Sequence, residues 1–254
     1  MRQKERVLVT GSAGRIGRAV VRELLARGHV VRGFDRVASP GLEDGAVASI
    51  LDASAVSAAM QGVTTLVHLA ATPDDTDDFE GELVPNNITG VHRVLEAARA
   101  AGVQRLILAS SGQVNDTQQC HGPLPIHATD PVTPRYWYAA TKMFLESIGY
   151  SFAKRHGLSV IVARLGWCPR DELQVREIAA AERFQDVYLS PGDAGRFFAC
   201  AVEAAATVRW AIVYAASRPV KQPRFDLETT RRLLGFVPQE QWPAGVEVVL
   251  GRPL

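Results

Sequence analysis

Residues 7–21 read VLVTGSAGRIGRAVV, and this stretch decides the fold class. An apolar, β-branched run ends at Gly11, Gly14 and Gly17, and a run with helical spacing begins among them. Glycine at such a junction permits a tight turn, a close approach of backbone to ligand, and close packing of helix on strand. The helix start then offers unpaired N–H groups and a positive dipole end, which suit a pyrophosphate. The spacing is three and three, not the two and three of the commonest dinucleotide fingerprint, and a glycine-rich turn without a ligand would read alike. The next strand raises the dinucleotide reading. It is VVRGFDR at 30–36, ending in Asp35. A carboxylate there accepts hydrogen bonds from the adenosine ribose hydroxyls and repels a 2′-phosphate, so NAD is favoured over NADP. Arg15, Arg32 and Arg36 keep NADP as the less favoured cofactor, because an arginine can accommodate that phosphate.

The same rhythm repeats outward from this junction. AVASILD (46–52), TTLVHLAA (64–71), RLILASS (105–111) and SVIVARLG (159–166) read as strands. ASAVSAAMQG (53–62) and NITGVHRVLEAARAAG (87–102) read as helices between them. Continuous apolar strands alternating with helices predict an α/β fold, a Rossmann-type doubly wound parallel sheet covered on both faces. After Gly166 the rhythm changes to polar PRDELQVRE, a helical run at 193–206, a strand at 211–217 and a Pro-rich tail. The expectation is a cofactor-binding domain over 1–165 that carries the catalytic residues. A small substrate lobe over 166–254 would pack on it as part of one compact unit.

Bulk properties exclude several classes. Of 254 residues, 47% are hydrophobic and 22% charged, as in a soluble protein with a buried core. The formal net charge of +1 gives no reason to expect nucleic acid or an anionic membrane as partner. No run approaches the roughly 18 apolar residues of a membrane span. MRQKERVLVTG passes from charge directly into a strand, without the apolar core of a secretory signal. Cys120, Cys168 and Cys200 are far apart and form no C-x-x-C, so reduced thiols in a cytoplasmic protein are expected. Cys168 reads best as a packed apolar thiol.

Residues 135–146, RYWYAATKMFLE, hold the candidate chemistry. On a helix Tyr138 and Lys142 are four apart and project about 40° from each other, whereas Tyr136 points elsewhere. A tyrosine, with an ordinary pKa near 10, is a poor base at neutral pH, and a nearby ammonium favours its phenolate. A packed tyrosine above a solvated lysine is the plainer reading of an isolated Y-x-x-x-K.

Taken together, TGSAGRIG, FDR, the Asp52 position, HLAA at 68–71, NNITG, Ser110–Ser111, YAATK and LGFVP resemble an extended short-chain dehydrogenase/reductase of the NAD-dependent epimerase/dehydratase family. The resemblance runs over nearly the whole chain. It implies a catalytic set of Ser111, Tyr138 and Lys142. Tyr138 would take or give the hydroxyl proton as hydride moves to or from NAD, Lys142 would also bond the nicotinamide ribose, and Ser111 would hold the substrate oxygen. It implies cofactor contacts from Gly11, Gly14, Arg15, Ile16 and Gly17, from Asp35 and Arg36, and from Leu51 and Asp52. Leu69, Ala70, Ala71 and Asn87 complete that set with Tyr138 and Lys142. For Asp52 a contact to adenine and a solvated helix N-cap are equally open. A homodimer is also implied, with the Tyr138 helix at the interface.

Within the family, dehydratases carry Thr-Asp-Glu after the serines, where this chain has Gly112-Gln113-Val114. Nucleotide-sugar epimerases have longer C-terminal lobes. The nearest resemblance is to the uronate dehydrogenase subgroup, which oxidises C1 of a uronic acid to a lactone. It implies a substrate site of Thr72, Ser111, Gly112, Gln113, Trp167 and Arg176. An arginine fork suits a carboxylate, although a solvated helix charge is an even alternative for Arg176. The subgroup has Asn-His where this chain has Gly112-Gln113, and a small residue where it has Trp167. The acidic loop of Asp74, Asp75, Asp77 and Asp78 would repel an anion unless it faces water. A neutral or amino sugar, or another small cyclic hydroxy compound, therefore fits as well as a uronate. His68 belongs to a strand, and His121 or His127 could touch substrate but reads better as packing. No metal-ligand spacing appears. The leading expectation is an NAD-dependent dehydrogenase of a sugar or sugar acid. An NAD-retaining epimerase is the alternative, and a non-enzymatic NAD-binding sensor ranks below both.

Overall fold

The first strand, β1 (Arg6–Thr10), buries Val7 and Val9 in one apolar cluster and Leu8 in another, as the two-residue period of a strand requires. Such a strand needs cover on both faces. In the computed structural model, which describes residues 4–73 and 76–249, it has that cover. The other strands are β2 (Val30–Asp35), β3 (Gly45–Val47), β4 (Thr65–His68), β5 (Arg105–Ser111), β6 (Ser159–Leu165) and β7 (Trp210–Ala215). All pair in parallel, in the order β3-β2-β1-β4-β5-β6-β7. The order reverses between β1 and β4, which places a ligand crevice at their carboxyl ends.

The helices in chain order are α1 (Arg15–Ala26), α2 (Ala53–Ala59), α3 (Val91–Ala100), α4 (Asp116–His121) and α5 (Trp137–His156). They continue as α6 (Glu172–Ala180), α7 (Glu182–Gln185), α8 (Pro191–Val202), α9 (Leu227–Leu234) and α10 (Val246–Val249). Helices α1 and α8 cover one face of the sheet, and α2, α3 and α5 cover the other. Gly195 of α8 lies so near α1 that a Cβ there would be 2.7 Å from the Ala19 carbonyl oxygen.

Three elements differ from the sequence expectation. The third strand stops at Val47, because the chain turns at Ser49–Asp52 and Asp52 then caps α2. The helix expected from residue 87 begins earlier, as a widened π-type segment over Phe79–Gly90 with Pro85 inside it. A proline lacks the N–H of a regular helix, which accounts for an irregular register there. The strand at 211–217 is β7, paired with β6 in the main sheet, and α8 belongs to the helical layer beside α1. What remains beyond Gly166 is a set of short segments after β6 and β7. They are held by two small clusters around Phe225 and Tyr188.

Candidate active site

The crevice at the β1–β4 switch is a cavity of about 330 Å³. Gly11 has φ +73°, and a Cβ on it would lie 2.8 Å from the Ala70 nitrogen, so only glycine lets the two strand ends approach. A Cβ on Gly17 would lie 2.0 Å from the Gly11 carbonyl oxygen, so the helix start is pressed onto the turn. Gly14 caps α1 without a side chain, which leaves the first-turn N–H groups for a ligand. Asp35 stands at the end of β2 in the cavity wall, its carboxylate accepting from the N–H of Ala13 at 2.9 Å and of Arg36 at 2.6 Å. Its remaining acceptor sites suit ribose hydroxyls. Arg36, Leu69, Ala70 and Ala71 line the same cavity. An NAD-sized adenosine diphosphate end fits this donor set and this cradle.

Other expected cofactor residues sit elsewhere. Arg15 turns away and donates to the Arg170 carbonyl, and burial holds its guanidinium below its usual pKa. Ile16 lines the second cavity described below. Leu51 and Asp52 do not line the crevice, whereas Ser49 and Ile50 do. The Asp52 carboxylate caps α2, accepting from the N–H groups of Ser54 and Ala55 at 3.0 Å each, which is the N-cap geometry. Asn87 is buried, accepting from the Thr72 N–H at 2.8 Å and donating to the Thr72 carbonyl at 3.0 Å and to Thr141 at 3.1 Å. It pins Thr72 to α5, and its neighbour Asn86 lines the crevice with Thr72 itself.

A larger cavity of about 410 Å³ opens beside the ends of β5 and β6. Ser110, Ser111, Gly112, Gln113, Tyr138 and Trp167 line it. Ser111 ends β5, and its hydroxyl accepts from the Gln113 N–H at 3.2 Å. The buried Lys142 donates to the Ala109 carbonyl at 3.0 Å, with its ammonium 5.4 Å from the Tyr138 ring centroid. Tyr136, the N-cap of α5, is half exposed at the cavity rim. At the end of β4, His68 is buried. Burial, then the charge of Lys142, pulls its pKa down to about 3, so the ring is neutral. Its Nδ1 meets the Thr10 hydroxyl at 2.8 Å. Cys168 borders the cavity, and burial pushes its thiol up to about 12, outweighing Arg15 and Arg170, so it stays protonated and inert.

Arg176 does not reach this cavity. It lies on α6 with 72% of its side chain exposed, paired with Glu172 at 2.7 Å, which is the solvated arrangement. Four other arginines line the cavity instead: Arg135, Arg170, Arg183 and Arg224. Asp116 is the carboxylate among the lining residues. Arg170 and Arg183 come from the segment after β6 and Arg224 from the segment after β7, where no repeat or motif marks them in the sequence. His127 bonds Asp226 at 3.1 Å, and neither it nor His121 lines the cavity. In the acidic loop, Asp74 and Asp75 lie outside the described residues. Asp77 and Asp78 are exposed, and Asp78 caps the π-type segment through the Gly81 N–H at 2.8 Å. Among the described residues no group of His, Cys, Asp and Glu could hold a metal ion, and no helix is long and apolar enough to cross a membrane.

The sequence model of the NAD dependent epimerase/dehydratase family matches residues 7–167. The chain is 32% identical over 257 residues to L-arabinose 1-dehydrogenase (NAD(P)(+)) of Haloferax volcanii, covering 95% of this chain and 99% of that protein. It is 28% identical to the NAD-dependent glucose-6-phosphate dehydrogenase of the same organism, covering 92% and 93%. Among solved structures it is similar to a mutated uronate dehydrogenase, with TM-score 0.78 and 26% identity over 99% of this chain and 89% of that one.

Proposed function

Because this chain belongs to the NAD-dependent epimerase/dehydratase family, we propose that it is an NAD-dependent dehydrogenase of a sugar or sugar acid, with Tyr138 as general acid/base. The observation that carries this reading is the convergence of Ser111 and Tyr138 on one cavity with Lys142 buried against the Tyr138 ring. NAD supplies the hydride acceptor when bound. The residues of the chain do the rest. Ser111 binds the reacting hydroxyl, Tyr138 takes its proton, and the Lys142 ammonium, anchored on Ala109, favours the phenolate form that can accept it. Asp35 supports NAD rather than NADP. The whole-length relatives named for L-arabinose and glucose 6-phosphate support a sugar. Four arginines against one carboxylate in the cavity wall support a sugar carrying an anionic group, such as a uronate.

The reading includes a homodimer with α5 at the interface, supported by the half-exposed Tyr150 and Trp137 on that helix. It also includes a cytoplasmic location, supported by Cys168 and Cys200 being free thiols. The residues of the segments after β6 and β7 form the substrate side of the enzyme in this reading.

The test is NADH absorbance with purified protein, NAD, and a panel of L-arabinose, D-glucuronate, D-galacturonate, glucose and glucose 6-phosphate. A rise with one sugar is expected, and Tyr138→Phe should lower kcat by about 10³-fold while leaving NAD binding intact. Isomer interconversion without net NADH would replace this reading with the epimerase one. Unchanged turnover in Tyr138→Phe would remove the tyrosine from the mechanism.

A further inference from the structure

Ser110, Arg164 and Tyr214 are register partners on β5, β6 and β7, so their side chains project in a row from one face of the sheet. That face is otherwise apolar and covered by α5. A polar row there is costly unless it is paired. The partner comes from α5 itself. Glu146 stands one helical turn beyond Lys142, on the same side of the helix. Its carboxylate accepts from the Ser110 hydroxyl at 2.6 Å and from Arg164 Nε and Nη2 at 2.9 Å each. Arg164, only 1% exposed, also donates through Nη1 to Asn115 Oδ1 at 2.8 Å and to the Tyr214 hydroxyl at 3.1 Å. Asn115 accepts from Tyr214 at 2.7 Å and donates to the Pro131 carbonyl at 2.9 Å.

This network joins every wall that carries a candidate catalytic group. Ser110 adjoins Ser111 on β5. Glu146 shares α5 with Tyr138 and Lys142. Asn115 ends the turn that presents Gly112 and Gln113. Tyr214 stacks on Phe225, whose ring lines the cavity and would be 2.8 Å from a Cβ on Gly112. We propose that Ser110, Glu146 and Arg164 are positioning residues. Through the Ser110–Glu146 bond they hold the end of β5 at a set distance from α5, so that Ser111 meets the same substrate oxygen as Tyr138. The proposal rests on the catalytic reading of Ser111, Tyr138 and Lys142.

Ser110→Ala tests it, because the change removes one hydroxyl and leaves the Glu146–Arg164 pair intact. With the best sugar of the panel, kcat should fall roughly 10-fold or more, as a small misplacement of reacting groups allows, with KM for NAD within about twofold. Ser110→Thr, which keeps the hydroxyl, should restore most of the rate. Hydrogen exchange of the 109–115 peptide should quicken in Ser110→Ala while the core of α5 stays protected, a readout that needs no substrate. Unchanged exchange, or a kcat within twofold of the parent, overturns the proposal. Tyr138→Phe run alongside separates the two readings: an inactive Tyr138→Phe beside a normal Ser110→Ala removes the positioning role alone, and an active Tyr138→Phe removes the catalytic reading.

Discussion

Arg176 and the four cavity arginines illustrate how residue type and residue placement separate. All five are arginines in the C-terminal half or just before α5, and nothing local distinguishes them. Arg176 sits on an α6 face that its Glu172 partner shares with solvent, an arrangement stabilised little because water screens it. Arg224 is held in the cavity wall by donating to the Gln119 carbonyl at 2.8 Å. Arg176→Ala should therefore leave kcat/KM within about twofold for every sugar of the panel, in steady-state assays at saturating NAD. A tenfold loss with uronates would restore Arg176 to the substrate site. Tyr138 and Lys142 were legible as a pair from their helical spacing, and Ser111 joined them through the family resemblance. Arg164 and Glu146 were not, since one reads as part of an apolar strand and the other as an ordinary helix charge.

At the level of elements, the β1–α1 junction is the most fully written in the chain. Strand, three glycines, helix and the following acid are contiguous, and each is local chemistry. The close approach of Gly17 to the Gly11 carbonyl makes the junction intolerant of even one carbon. Gly17→Ala forces the helix start away from the turn, at about 1–3 kcal/mol for overpacking. The expected result is a lower unfolding midpoint and at least ~10-fold weaker NAD binding in a fluorescence titration. Unchanged affinity would mean that the turn yields without loss of the crevice. The elements that sequence periodicity misplaced are those whose register depends on tertiary partners. The π-type segment at Phe79–Gly90 accommodates Pro85 and bonds Thr72 through Asn86, and the short β3 ends where Asp52 takes up its cap.

Across the whole molecule, the buried end of the central strand β4 makes stability depend on pH. His68 has its folded pKa pulled from 6.5 down to about 3 by burial first and by Lys142 second. Between those values the unfolded chain binds a proton at this residue and the folded chain does not, so acidification favours unfolding. Stability should fall as pH drops from about 6.5 towards about 3, by at most about 1.4 kcal/mol per pH unit from this group. Urea denaturation at pH 7.5 and pH 5 should show the drop, and His68→Asn should shrink it. An equal drop in the variant would assign the effect to other groups. The amino-acid sequence by itself determined the parallel sheet, the dinucleotide crevice and the placing of Tyr138 and Lys142 on one side of a helix, because these follow from period, turn chemistry and short fixed spacings, whereas Ser111 joined that pair only through the family resemblance. Only the tertiary structure decided which arginines face the cavity, that β7 extends the main sheet, and that a polar row of Ser110, Arg164 and Tyr214 is tied to Glu146. Those features join residues tens of positions apart, and their stability comes from mutual burial and charge pairing that no local pattern encodes.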